Sequence, residues 1–168
     1  MDFEHDILPL KDVIFRTALR VVLNRDEAQD IVQDTLLKLW QKRSELAEVA
    51  NLQAFAVASA RNLALDRKEK MDNNTVSIDT ATHDYTAGSV SAPDAGMMKS
   101  ETHTFVVDTI NSLPEKQRMV IQLRDIEEKT YKEIAQILNI TESDVKVTLF
   151  RARATLKEKI LQKKSLFL

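Results

Sequence analysis

The sequence predicts an all-α protein of two small helical domains joined by a flexible linker. Three observations carry that expectation. Apolar residues recur at spacings of three and four over most of the chain, which is the helical period. Only two glycines and three prolines occur in 168 residues, too few for the tight turns of a sandwich or barrel. Both glycines, Gly88 and Gly96, fall with Pro93 inside one aperiodic stretch, residues 71–98, which reads as the connector between lobes 1–70 and 99–168.

The first lobe holds three helical segments. Leu10, Val13, Ile14, Phe15, Ala18, Leu19, Val22 and Leu23 make one stripe, with Pro9 tolerated in its first turn. Asp26 and Gln29 have capping-box spacing and open the second, along which Ala28, Ile31, Val32, Thr35, Leu36, Leu39 and Trp40 recur. Trp40 continues that stripe and is expected in the core. Asn51 is the expected N-cap of the third, whose stripe is Leu52, Phe55, Ala56, Ser59, Ala60 and Leu63. Three short helices that are marginal alone can bury one shared core.

The second lobe begins with Phe105, Val106, Ile110 and Leu113. Ser112 and Glu115 suggest a capping box for a helix carrying Met119, Val120, Leu123 and Ile126. Thr130 and Glu133 suggest another, for a short helix with Ile134, Ala135 and Leu138. Asn139 stands where the turn needs a left-handed residue, and Thr141 caps a long last helix with Val145, Leu149, Ala152, Leu156 and Ile160 on one face. A short helix, a three-residue turn and a second helix make a helix-turn-helix unit. On the last helix Ser143, Val147 and Arg151 lie opposite the apolar stripe, with Lys146, Arg153 and Lys157 along one flank. That arrangement suits base contacts near the helix start and phosphate contacts beside them.

Charge supports this reading. The net charge of −2 conceals −3 over residues 71–100, −4 over residues 101–145 and +6 over residues 146–168. A local basic face is what nucleic-acid binding requires. With no cysteine, disulfides, Cys-zinc sites and thiol catalysis are excluded. His5, His83 and His103 have no metal-ligand or nucleophile spacing around them, so no catalytic residue, metal or cofactor is expected. The longest uncharged run, Val49 to Ala60, is twelve residues and too short for a bilayer. The acidic start, MDFEHD, lacks the basic and apolar parts of a secretory signal, so a cytoplasmic location is expected.

Four segments, EAQDIVQDTLLKLW (27–40), AFAVASARNLALD (54–66), LPEKQRMVIQLR (113–124) and TYKEIAQILNITESDVKVTLFRARATLK (130–157), resemble the bacterial RNA polymerase sigma factors. The resemblance is strongest to the small extracytoplasmic-function (ECF) group of the sigma-70 family, which keeps only regions two and four. It implies a non-enzymatic protein that binds core RNA polymerase, directs it to promoters and helps open the DNA. It assigns 1–70 to region two, with polymerase-clamp and minus-ten binding, and 99–168 to region four, with minus-thirty-five binding. The acidic linker 71–98 would thread the channel that later carries RNA.

Residue roles follow from the same resemblance. Asp30, Gln33, Asp34, Leu37 and Lys38 match the face that docks on the beta-prime clamp. Arg61, Asn62, Arg67 and Lys68 match the minus-ten segment, with Asp66 placed to hold Asn62. The loop Ala47–Leu52 matches one that pockets a flipped base. Phe55 stands where a tryptophan is common, and Ala56 and Val57 where bulkier residues often occur, so strand capture by stacking is expected to be weak. In region four Ser143, Lys146, Val147, Thr148, Arg151, Arg153 and Lys157 are the DNA candidates, Val147 and Thr148 replacing the commoner serine and basic residue. Core polymerase through its beta-prime clamp and beta subunit, promoter DNA and an anti-sigma factor are the implied partners. The alternatives are a stand-alone helix-turn-helix regulator and a helical scaffold without DNA contact.

Overall fold

The structure, a computed structural model, describes residues 1–74 and 97–166. Every regular element among them is helical. They fall into two compact units. Most of the expected linker lies outside the described residues.

The first unit opens with a π-helical turn, Phe3–Ile7, and a 3-10 turn, Leu8–Leu10, which holds Pro9 ahead of α1 (Lys11–Val22). Helix α1 buries Val13, Ile14, Ala18, Val21 and Val22, together with Thr17, whose hydroxyl donates to the Val13 carbonyl at 2.8 Å. It stops at Leu23, which has left-handed φ of 56°. Most L-residues adopt this geometry only at a cost of about 1–2 kcal/mol. The next residue, Asn24, is extended and caps α2 (Arg25–Gln41) by accepting from the Glu27 amide at 3.0 Å. The cap expected at Asp26 is therefore two residues too late. The sharp turn at Leu23 leaves Asn24 as the extended residue an N-cap must be, while Asp26 is already in the first turn.

A single turn, α3 (Arg43–Leu46), leads into the loop before α4 (Leu52–Asn74). Asn51 caps α4 as expected, accepting from the Ala54 amide at 3.0 Å. Helix α4 continues through Asn74, so Met71–Asn74, read as linker from the sequence, are helical. Glycine and proline are absent from this stretch, and the helix formers 67–71 carry the period onward. Helices α1, α2 and α4 pack against one another. Ile7, Ile14, Leu39, Leu46, Ala56 and Ala60 form a core cluster. Trp40 packs against that cluster, its ring edge-on to Phe3 with centroids 5.6 Å apart.

The second unit contains α5 (Met97–Asn111), α6 (Glu115–Ile121), α7 (Tyr131–Leu138) and α8 (Glu142–Leu166). The capping box expected from Ser112 and Glu115 does not form. Pro114 is the N-cap, with no side-chain bond, and the Ser112 hydroxyl donates to the Thr109 carbonyl at 2.6 Å. The buried Arg118 instead reaches back to the Leu113 carbonyl, its Nη2 at 3.2 Å. A π-helical turn, Gln122–Ile126, follows α6, with the Glu127 amide on the Gln122 carbonyl at 2.9 Å. One wider turn rotates the helical face, so Ile126, expected on the apolar stripe, is exposed while Gln122 and Leu123 are buried.

Helix α7 begins with the expected capping box. Thr130 Oγ1 accepts from the Glu133 amide at 3.1 Å and the Glu133 carboxylate accepts from the Thr130 amide at 3.2 Å. It ends at Asn139, whose φ of 56° is the left-handed geometry the turn requires. Thr141 then accepts from the Asp144 amide at 3.0 Å to open α8. Val145, Leu149 and Ala152 are fully or nearly fully buried against the rest of the unit. The helix-turn-helix is thus built from three local devices: the Thr130–Glu133 box, the left-handed Asn139 and the Thr141 cap.

Candidate nucleic-acid and partner interfaces

In the first unit the inner side of α2 is spent on the core: Ala28, Ile31, Thr35 and Leu39 are buried. Its other side shows Asp30, Gln33, Asp34 and Leu37 exposed and Lys38 half-buried, the five residues that the sequence groups as one docking face. The structure adds a group to this face. Arg67 of α4 crosses to α2 and pairs with Glu27 at 2.8 Å, Asp34 at 2.9 Å and Asp30 at 3.4 Å. Its guanidinium pKa is raised, first by the hydrogen bond to Glu27. Arg67 is therefore held against α2 and does not stand beside the other minus-ten candidates as an open cation. Asn62 and Asp66 are exposed, Arg61 and Lys68 half-buried, and Arg61 has an interaction within the fold.

Ala56 and Val57 are fully buried, and Phe55 packs on the core cluster. The positions where bulkier residues are common in the resembling family thus belong to the core of this unit. The loop residues 47–50 are exposed, with the Val49 amide closing back on the Leu46 carbonyl at 3.0 Å.

In the second unit, α8 places Ser143, Lys146, Val147, Arg151, Arg153 and Lys157 on the surface. Thr148, expected among the DNA-contacting residues, does not join them. It is buried, and its hydroxyl donates to the Asp144 carboxylate at 3.2 Å. Three residues after Val145 and four before Ala152, it falls on the inward side of the helix, so it holds the first turns of α8 together. Asp144 also accepts from Lys116 Nζ at 2.7 Å, and that bond, followed by the one from Thr148, holds its carboxyl below the ordinary range. Arg153 is paired with Asp125 on the π-helical turn, its Nε at 3.2 Å from Oδ2. That bond raises the Arg153 pKa. Among the described residues no cluster of His, Cys, Asp or Glu has the geometry to hold a metal, and no helix is long and apolar enough to cross a membrane.

Comparison with known proteins matches both units. The pattern of Sigma-70 region 2 matches residues 7–73 and that of Sigma-70, region 4, residues 106–156. The ECF RNA polymerase sigma-E factor of Haemophilus influenzae is 30% identical over 146 residues, covering 82% of this chain and 77% of that protein. The chain belongs to the ECF sigma factors. The RNA polymerase sigma-H factor of Pseudomonas aeruginosa is 27% identical over 169 residues, covering 96% of this chain and 83% of its own. The sigma factor RpoE of Bartonella quintana, solved in complex with the anti-sigma factor NepR, superposes with a TM-score of 0.73 at 26% identity, over 94% of this chain and 95% of that one. Two sigma regions account for both lobes, where a stand-alone regulator would account for one and a scaffold for neither.

This ECF sigma factor also carries exposed aromatic and cationic groups outside the motif positions. Phe150 is 76% exposed on α8. Tyr131, the first residue of α7, lies under two cations, with Arg124 4.6 Å and Lys146 5.6 Å from its ring centroid. Tyr131, Lys146, Phe150, Arg153 and Lys157 line one shallow groove along α8. Spacing could have found Phe150, which follows Lys146 by four and Val147 by three and so shares their side of the helix. Tyr131 could not be found that way, because the groove forms only when α7 and α8 pack together.

Proposed function

We propose that this ECF sigma factor joins core RNA polymerase and directs promoter-specific initiation, binding the minus-ten element through its first unit and the minus-thirty-five element through its second. The observation that carries this reading is one chain that presents an acidic, leucine-bearing face on α2 and a basic helix-turn-helix on α8. Asp30, Gln33, Asp34, Leu37 and Lys38 meet the beta-prime clamp, where exposed carboxylates suit a cationic partner and set rate and register. Arg61, Asn62 and Lys68 of α4 face the minus-ten strand. On α8, Ser143, Lys146 and Val147 lie nearest the bases, while Arg151, Arg153 and Lys157 hold phosphates.

The first lobe, 1–70, and the second, 99–168, act on one promoter through the segment between them. The protein works in the cytoplasm, where the polymerase is, and its contribution is binding and positioning without chemistry of its own. A protein of the kind seen with the Bartonella factor, an anti-sigma factor, is a further partner. In vitro transcription with cognate core polymerase on a genomic promoter library tests the reading. Transcripts that start at a common two-element sequence only when the protein is added support it. Failure to co-purify with core polymerase, or specific operator binding by the protein alone, would reject it.

A further inference from the structure

The α2 face already holds a cation of its own. Glu27, Asp30 and Asp34 lie three and four residues apart, on one stripe of the helix. Carboxylates so placed repel one another, and Arg67 from α4 bridges all three. The bridge is graded. At its inner end Glu27 is 32% exposed and Arg67 29%, while Asp30 and Asp34 remain 67% and 56% exposed. Arg67 is thus anchored at Glu27 and leans on two carboxylates that face solvent. One guanidinium against three carboxylates leaves two negative charges uncompensated. Past Ala64 no residue of α4 through Asn73 is fully buried, so Arg67 projects from a part of the helix that lies outside the core.

We propose that Arg67 is the internal counter-ion of the polymerase-docking stripe, competing with the cations of the incoming clamp surface for Asp30 and Asp34. This rests on the assignment of α2 to polymerase binding. It makes Arg67 a brake on assembly, in contrast to the DNA-contacting role that its place in the sequence suggests. The physical reason is that each carboxylate offers its charge to both cations at once. A positive group about 3 Å away lowers the potential that any approaching lysine or arginine meets.

The test measures affinity of the full chain for cognate core RNA polymerase over a range of salt. Arg67→Gln removes the charge, Arg67→Met also keeps the length of the stem, and Arg67→Lys keeps a charge without the fork. The expected result is tighter binding by the Gln and Met variants, by about fivefold at low salt. Their salt dependence should be steeper, and Arg67→Lys should remain near wild type. A merely structural role for Arg67 predicts the opposite sign. Weaker or unchanged binding by helical Gln and Met variants overturns the proposal, as does loss of helicity in both. The doubly reversed Asp30→Lys, Asp34→Lys variant separates the two levels of the argument. If it binds polymerase as well as wild type, the docking assignment itself fails. If it binds weakly and the Arg67 variants bind no better than wild type, only the counter-ion inference fails.

Discussion

Val147 offers the sharpest test of how the second unit reads DNA. It lies between Ser143 and Arg151 on the outward stripe of α8 and is 46% exposed, with no charge and no hydrogen-bonding group to offer. Its only favourable contact with a base edge is apolar, and the thymine methyl group is the apolar feature of the major groove. Fully burying a valine is worth about 1.5–3 kcal/mol, so covering the open 46% is worth about 0.7–1.4 kcal/mol. That corresponds to about 3- to 10-fold in affinity. Val147→Ala, which keeps Cβ, should lose up to this amount at one position of the upstream element and nothing elsewhere. Val147→Thr keeps the shape and one methyl, replaces the other with a hydroxyl and should relax the preference for thymine, because the hydroxyl can also donate to N7 of a purine. The assay is binding of the assembled holoenzyme to a promoter library randomised in the upstream element, read by sequencing. Because no charge changes, the salt slope should stay constant, and because the residue is exposed, unfolding should move by less than about 0.5 kcal/mol. A uniform loss across all sequences, or no change at any position, would refute the reasoning.

Three further outcomes are expected. Thr148→Val should cost about 0.5–1.5 kcal/mol of stability in the second unit, read by denaturant unfolding, and leave promoter preference unchanged, since Thr148 is buried and its hydroxyl is spent on the part-buried bond to Asp144. Asp125→Asn removes the charge of the ion pair while leaving an amide oxygen that can still accept from Arg153, so it should tighten all promoters alike, most of all at low salt; a change confined to one promoter class would contradict it. The Asp144 carboxyl is depressed in the folded state, so its contribution is fully present above the unfolded carboxylate value of about 3.9 and is lost as pH falls through the lower folded value. The stability gap between wild type and Lys116→Met should therefore be constant near neutrality and close under acid, as followed by thermal unfolding against pH.

What the sequence determined by itself was the local geometry wherever one short-range signal acted without a competitor. The box at Thr130 and Glu133, the left-handed Asn139 and the caps at Asn51 and Thr141 each involve groups within three residues or a single backbone geometry, and each forms. The exposed face of α2 was legible for the same reason, since a helical period fixes which side chains share a side. Where two local signals competed, spacing alone misled. Asp26 and Ser112 have capping-box partners, but the turns at Leu23 and Pro114 place the helix starts elsewhere. The π-helical turn at Gln122–Ile126 is invisible to a fixed period and turned Ile126 outward. Thr148 shares a motif with DNA-contacting candidates, but its angular position beside the buried Val145 and Ala152 puts it inside. Tertiary structure alone decided which charges meet. Arg67 lies 40 residues from Glu27 and Arg153 lies 28 from Asp125. No periodicity connects such pairs, because they are brought together only when separate helices bury their apolar faces against each other.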